Sequence, residues 1–189
     1  MDIVERARAV VLSPAAEWRR IEPESGDAGY LFTNYAAFLA AIPPICEFLR
    51  RGVLGWAGPH LRHLHHYGFF SSLFGGIVRY FVTFAVLYAM AAIIDGLAPT
   101  FSASRNRESA MKLAVYSMTS VWLAGVFALI PGFGFLRLLA LIYTVYVFWL
   151  GLPILMKPPA DKTGPYTLAV VVSAIILSIV VSAIVGPVI

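Results

Sequence analysis

Long apolar runs separated by short polar breaks make up most of the chain. Five runs reach or approach the ~20 residues a helix needs to cross a bilayer. They span about 30–48, 69–95, 113–130, 137–156 and 166–188. The runs are continuous rather than alternating, and in lipid a helix satisfies its backbone hydrogen bonds within its own segment. The breaks read as loops: Arg50 to Tyr67 is basic and His-rich, and Phe101 to Ser109 is polar. Pro131-Gly132-Phe133-Gly134 makes a tight turn, and Lys157 to Pro165 makes a Pro-rich connector. The pattern predicts an all-α, polytopic integral membrane protein. Residues 29–189 would form a five-transmembrane-helix bundle, and residues 1–28 a cytoplasmic amphipathic segment with a short helix. Pro43-Pro44 interrupts the hydrogen-bond ladder of the first run, so that run kinks or stops there. A stop would reduce the count to four.

Ahead of the first run, Ile3, Val4, Ala7, Val10 and Val11 fall on one helical face, with Glu5, Arg6 and Arg8 elsewhere. Ser13-Pro14 then reads as an N-cap followed by Pro at the first helical position, opening a segment that holds Trp18 and Ile21. Short amphipathic helices of this kind lie in the headgroup region. The alternative is packing on the protein's own cytoplasmic loops. The first twenty residues lack the apolar stretch of a cleavable signal.

Composition agrees with the pattern. Hydrophobic residues make up 60% and charged residues 13%, against about 45–50% and about 25% in soluble domains. A lone cysteine, Cys46, excludes an internal disulfide. The formal charge is +4, and its placement carries more information than its size. With five spans, nine of the basic residues fall on the side of the N-terminus and five on the other. That asymmetry predicts a cytoplasmic N-terminus and an external C-terminus in a cell membrane.

Charged residues in or beside a span are costly and default to functional candidates. Glu47 and Arg79, at the ends of adjacent antiparallel runs, can form an intramembrane charge pair, either structural or part of an ion path. His60, His63 and His66 share a helical face in the first loop and form the one metal-like feature, for zinc or another divalent ion. No other cofactor is expected. Asp95, with Lys112 and Tyr116 one turn apart on the next run, can meet at the inner surface as a helix lock or a docking site. Ala174, Ser178, Ser182 and Gly186 repeat every four residues and let another helix approach closely. That helix is expected to belong to the same chain, with a second copy as the alternative. Tyr143, Tyr146, Trp149 and Trp122 are expected to pack in the core. No phosphate-binding loop, metalloprotease helix or serine-hydrolase elbow is present, so an enzyme is not expected.

Asp95-Gly96-Leu97-Ala98-Pro99, the basic loop after it and Lys112-Leu113-Ala114-Val115-Tyr116-Ser117 resemble the Yip family (Ypt-interacting proteins) in its bacterial branch. Asp95 and Pro99 match the family's element at a span end, with Ala98 in place of glycine. Tyr116 matches its Gly-Tyr-like element, with Val115 in place of glycine. Leu12-Ser13-Pro14-Ala15-Ala16-Glu17-Trp18 matches the opening of the bacterial branch, and the similarity runs from about residue 12 to the final span. The resemblance implies five spans, an inward N-terminus and a bacterial inner membrane. It also implies a non-enzymatic role in organising membranes or adapting partners, with Asp95, Pro99, Lys112 and Tyr116 as the inner-face cluster. The partners expected are membrane lipids, a second copy of the chain, or an unidentified membrane or cytoplasmic protein, and no nucleic acid. A small transporter or ion channel with a path near Glu47 and Arg79 is the alternative.

Overall fold

A computed structural model describes residues 2–24, 28–53, 69–130 and 132–186. Two short helices, α1 (Ile3–Leu12) and α2 (Pro14–Ile21), precede five helices long and apolar enough to cross a membrane. These are span 1 (Gly29–Arg51), span 2 (Phe69–Phe101), span 3 (Arg107–Leu129), span 4 (Gly134–Leu155) and span 5 (Ala160–Val185). The described residues contain no strand. An odd number of antiparallel spans puts the N-terminal helices and the turns at 102–106 and 156–159 at one end, here called the near end. The end of span 1, the start of span 2 and the described residues between spans 3 and 4 lie at the far end.

Span 3 is the centre of the bundle, with 61% of its apolar window buried, against 6% for span 5 at the periphery. Spans 1, 2 and 4 pack directly on span 3, and span 5 packs on spans 2 and 4. Of the two N-terminal helices, α2 packs on span 4, and α1 packs on α2 and span 3. Span 1 is kinked, not stopped, by its prolines. The helix breaks at Ala41 and restarts at Ile42, so Pro43 falls in a first turn, where the missing N–H has no intrahelical partner to lose. A Cβ on Gly125 of span 3 would lie 2.8 Å from the Pro43 Cα. Glycine there lets the kink touch the central helix.

Three spans start or end beyond the sequence expectation. Span 2 runs past Asp95 through a tight final turn, Ala98–Phe101, with Pro99 inside it. Span 3 begins at Arg107, so Lys112 is in its second turn and buried. Span 5 begins at Ala160 and contains Pro165. Hydropathy reads the length immersed in lipid, and these polar turns continue the helices beyond it.

The N-terminal helices pack against the bundle. Ser13 breaks the chain between them, and α2 folds back on α1 to form a hairpin. Tyr143 Oη donates to the Val11 carbonyl at 2.6 Å. Tyr143 lies about 18 Å along span 4 from its near end, at 1.5 Å per residue, so the tip of the hairpin packs about halfway along that helix. Trp18 is 1% exposed and Ile21 is fully buried. The Trp18 indole N–H donates to the Val147 carbonyl at 3.0 Å, and the indole lies over Gly151, where a Cβ would be 2.5 Å from the ring. The apolar faces of these helices meet spans 3 and 4 of the same chain, while Glu5, Arg8, Arg19 and Arg20 stay exposed.

Candidate functional site

The hairpin buries ionised groups against the near-end half of the bundle. Arg6, which the hydrophobic pattern leaves on the polar face of α1, is 7% exposed. Its guanidinium bonds Glu17 of α2 at 2.5 Å and also Glu24 beyond α2. It sits 5.8 Å from the centre of the Tyr116 ring, in cation–π range. Burial lowers the Arg6 pKa, but the hydrogen bond to Glu24 and the surrounding negative charge outweigh it. The net value lies above the ordinary arginine range, and the group stays charged. Glu17, 2% exposed, also reaches Arg20 at 3.6 Å.

Tyr116 is the hub of this region. Its ring meets Trp18 edge-on at 6.2 Å and Tyr35 of span 1 at 4.8 Å. Thr119 Oγ1 donates to the Tyr116 carbonyl at 2.7 Å, which uses its only hydrogen. The Tyr35 hydroxyl is therefore the donor in its 2.8 Å bond to Thr119. Span 1 passes Tyr35 through a wider turn, Phe32–Ala36, of the kind often found at functional positions. Beside this cluster a cavity of about 340 Å³ opens at the near end, lined by Arg6, Glu24, Tyr30, Asn34, Tyr35 and Tyr116 among others.

The expected inner-face cluster is split between two neighbourhoods. Lys112 ion-pairs with Glu108 at 2.8 Å and bonds the Glu24 carbonyl, so it belongs with Arg6 and Tyr116. Asp95 belongs with span 5. It pairs with Arg105 at 3.2 Å, while the Tyr166 hydroxyl donates to the neighbouring Ile94 carbonyl. Phe101, two residues after Pro99, stacks on Tyr166 at 4.8 Å. The near-end turns are pinned together: Ser104 N–H donates to the Met156 carbonyl at 2.7 Å, Lys162 bonds Ser102 at 2.8 Å, and Lys157 pairs with Glu22 at 2.7 Å.

Glu47 and Arg79 do not pair. Glu47 is bound by Arg50 at 2.7 Å and by Arg51, both on its own helix, because i,i+3 and i,i+4 neighbours are in reach before any other span is. Arg79 lines the same notch, and among the described residues no ion pair joins it to Glu47. His60, His63 and His66 lie outside the described residues. Among the described residues no group of three metal-ligating side chains converges. Among the described residues nothing covers Ser178, Ser182 and Gly186 of span 5, which are exposed, while Ala174 is half-buried. Of the aromatics expected in the core, Trp122 is 2% exposed, whereas Tyr146 and Trp149 face outward.

Arg6, Glu17 and Trp18 were not singled out as site residues by the hydrophobic pattern. The available signal was the Leu-Ser-Pro-x-x-x-Trp element: a helix break followed by a large aromatic one turn later favours a folded-back hairpin over two surface helices.

A helical bundle with five apolar spans and no described strand is a polytopic integral membrane protein. The Yip1 domain family model matches residues 8–183, and the chain belongs to that family. It is 29% identical over 146 residues to an inner membrane protein, YohC, of Escherichia coli strain K12, covering 74% of this chain and 73% of that protein. The YohC protein of Escherichia coli O6:H1 matches to the same extent. No solved structure matches. The five apolar helices and these relatives agree on a multi-pass inner-membrane location.

Proposed function

We propose that this protein is a non-enzymatic membrane scaffold that presents its near end to a protein partner in the cytoplasm. The observation that carries the reading is the pinned near-end platform. The turns at 102–106 and 156–159 are bonded to each other, to span 5 and to the end of α2, and they leave Arg105 and Lys157 exposed. A surface already held in one conformation loses little entropy on docking. The excess of basic residues at this end supports a cytoplasmic orientation. The interior supports a scaffold over a conduit. The two described cavities lie at opposite ends, and Thr119 and Trp122 of the central span are buried. Self-association is part of the reading, supported by the uncovered small-residue face of span 5.

The test is site-specific photo-crosslinking in native membranes from a probe at position 104, beside flux measurements on proteoliposomes. A discrete protein adduct that weakens at least several-fold in Asp95→Asn, with no solute or ion flux, is the expected result. Selective flux without any adduct would overturn the scaffold in favour of a transporter or channel.

A further inference from the structure

Acidic residues are unevenly distributed in this molecule. Of the ten, Glu47 alone lies at the far end, and the sequence from 48 to 94 contains no other carboxylate side chain. Four arginines surround it. Arg50 and Arg51 bind it directly, Arg137 at the start of span 4 adds its charge to the same field, and Arg79 shares its notch. Among the described side chains of this corner, four guanidinium groups accompany one carboxylate.

The notch between spans 1 and 2 has a defined shape. Arg79 is about 15 Å along span 2 from Phe69, yet it lines the notch together with Ser71 and Ser72 of the first turn. Its side chain therefore runs back toward the far end, as a long cationic side chain does when it leaves hydrocarbon. The enclosed part of the notch is about 20 Å³, room for a single water or oxygen atom. The Ser72 hydroxyl is buried with no hydrogen-bond partner among the described residues. Gly75 and Gly76 leave the space open, and a Cβ on Gly76 would come within 3.7 Å of the Pro44 carbonyl. Ser71 and Ser72 also belong to the positive end of a long helix, which favours an anion at that position.

We propose that this notch is a phosphate-binding site, occupied by the phosphodiester of an anionic lipid headgroup or by free inorganic phosphate. One phosphate oxygen enters the notch and accepts from the Ser72 hydroxyl. Arg79 and Arg51 bond the outer oxygens, as the planar guanidinium fork suits phosphate. Glu47 holds Arg50 and Arg51 in position and admits only one further negative group. The site stands apart from the near-end platform and does not depend on its proposed role.

The experiment uses the full-length protein and its Ser72→Ala and Arg79→Gln variants. One arm reconstitutes each into nanodiscs of phosphatidylcholine doped with phosphatidylglycerol, and counts retained lipid by native mass spectrometry. The other adds inorganic phosphate to lipid-free detergent samples and follows thermal unfolding, with Trp18 burial checking that the variants are folded. Selective retention of phosphatidylglycerol, at least fivefold weaker in Arg79→Gln and weaker in Ser72→Ala, assigns the headgroup. Stabilisation by phosphate that is lost in both variants, without lipid selectivity, assigns the free anion. Equal behaviour of parent and folded variants in both arms, or no response in either arm, overturns the proposal.

Discussion

Replacing Arg6 by methionine removes the centre of the hairpin lock while keeping much of the apolar stem of the side chain. Glu17 would then remain 2% exposed with its one buried cation gone, because Arg20 is 3.6 Å away and mostly in solvent. An exposed partner of that kind contributes about 0–1 kcal/mol, whereas stranding a buried charge costs roughly 3–5 kcal/mol. Arg6→Met should therefore destabilise the fold by about 3–5 kcal/mol. Glu17→Met alone should cost less, because Arg6 keeps Glu24. The double variant Arg6→Met/Glu17→Met should recover most of the loss, since two apolar side chains of similar volume replace a pair whose desolvation offsets much of its attraction. Equilibrium unfolding in mixed micelles titrated with dodecyl sulfate, read by tryptophan emission, closes the double-mutant cycle. The reasoning fails if Arg6→Met lies within about 1 kcal/mol of the parent. It also fails if the double variant is as unstable as the sum of the singles.

Two further outcomes follow from close contacts. Gly151→Val should push Trp18 off span 4, because even a Cβ there meets the indole at 2.5 Å and Leu113 at 2.8 Å; the overpacking costs about 1–3 kcal/mol, and a red-shifted tryptophan emission checks it. Asn106 caps span 3 by accepting from the Ser109 N–H at 3.0 Å, so Asn106→Ala should cost about 1 kcal/mol in the same unfolding assay, and Asn106→Asp should restore it.

The bilayer makes some of this protein legible from composition and order alone. Each span has to supply its own backbone hydrogen bonds and enough apolar length, so the five crossings follow from local sequence without reference to any partner. Tyr116 and Lys112 could be singled out for a related reason: a polar group on a span is costly unless something holds it. What holds it was not local. Lys112 finds the Glu24 carbonyl, and Tyr116 finds Arg6, Trp18 and Tyr35, across long stretches of chain. The hydrophobic pattern of α1 identified part of its buried face, Ala7 and Val10, but Val4 is exposed and Arg6 is buried in its place. It could not say whether that face met lipid or protein, since both are apolar.

The same limit explains Glu47 and Asp95. From sequence, each carboxylate had several arginines or lysines within plausible reach, and the choice depended on which helix faces turned toward each other. Hydropathy sums over a whole helix and carries no rotation. The rotation is set by close contacts such as Gly125 on Pro43 and Gly151 on Trp18, where one atom more would separate the helices. Sequence alone therefore determined where the apolar runs lie and which polar residues need partners. Only the tertiary structure decided that the first run continues past its prolines, that the first two helices pack on the bundle as a hairpin and which charges they bring together, because packing at ångström range selects among pairings that local chemistry leaves equivalent.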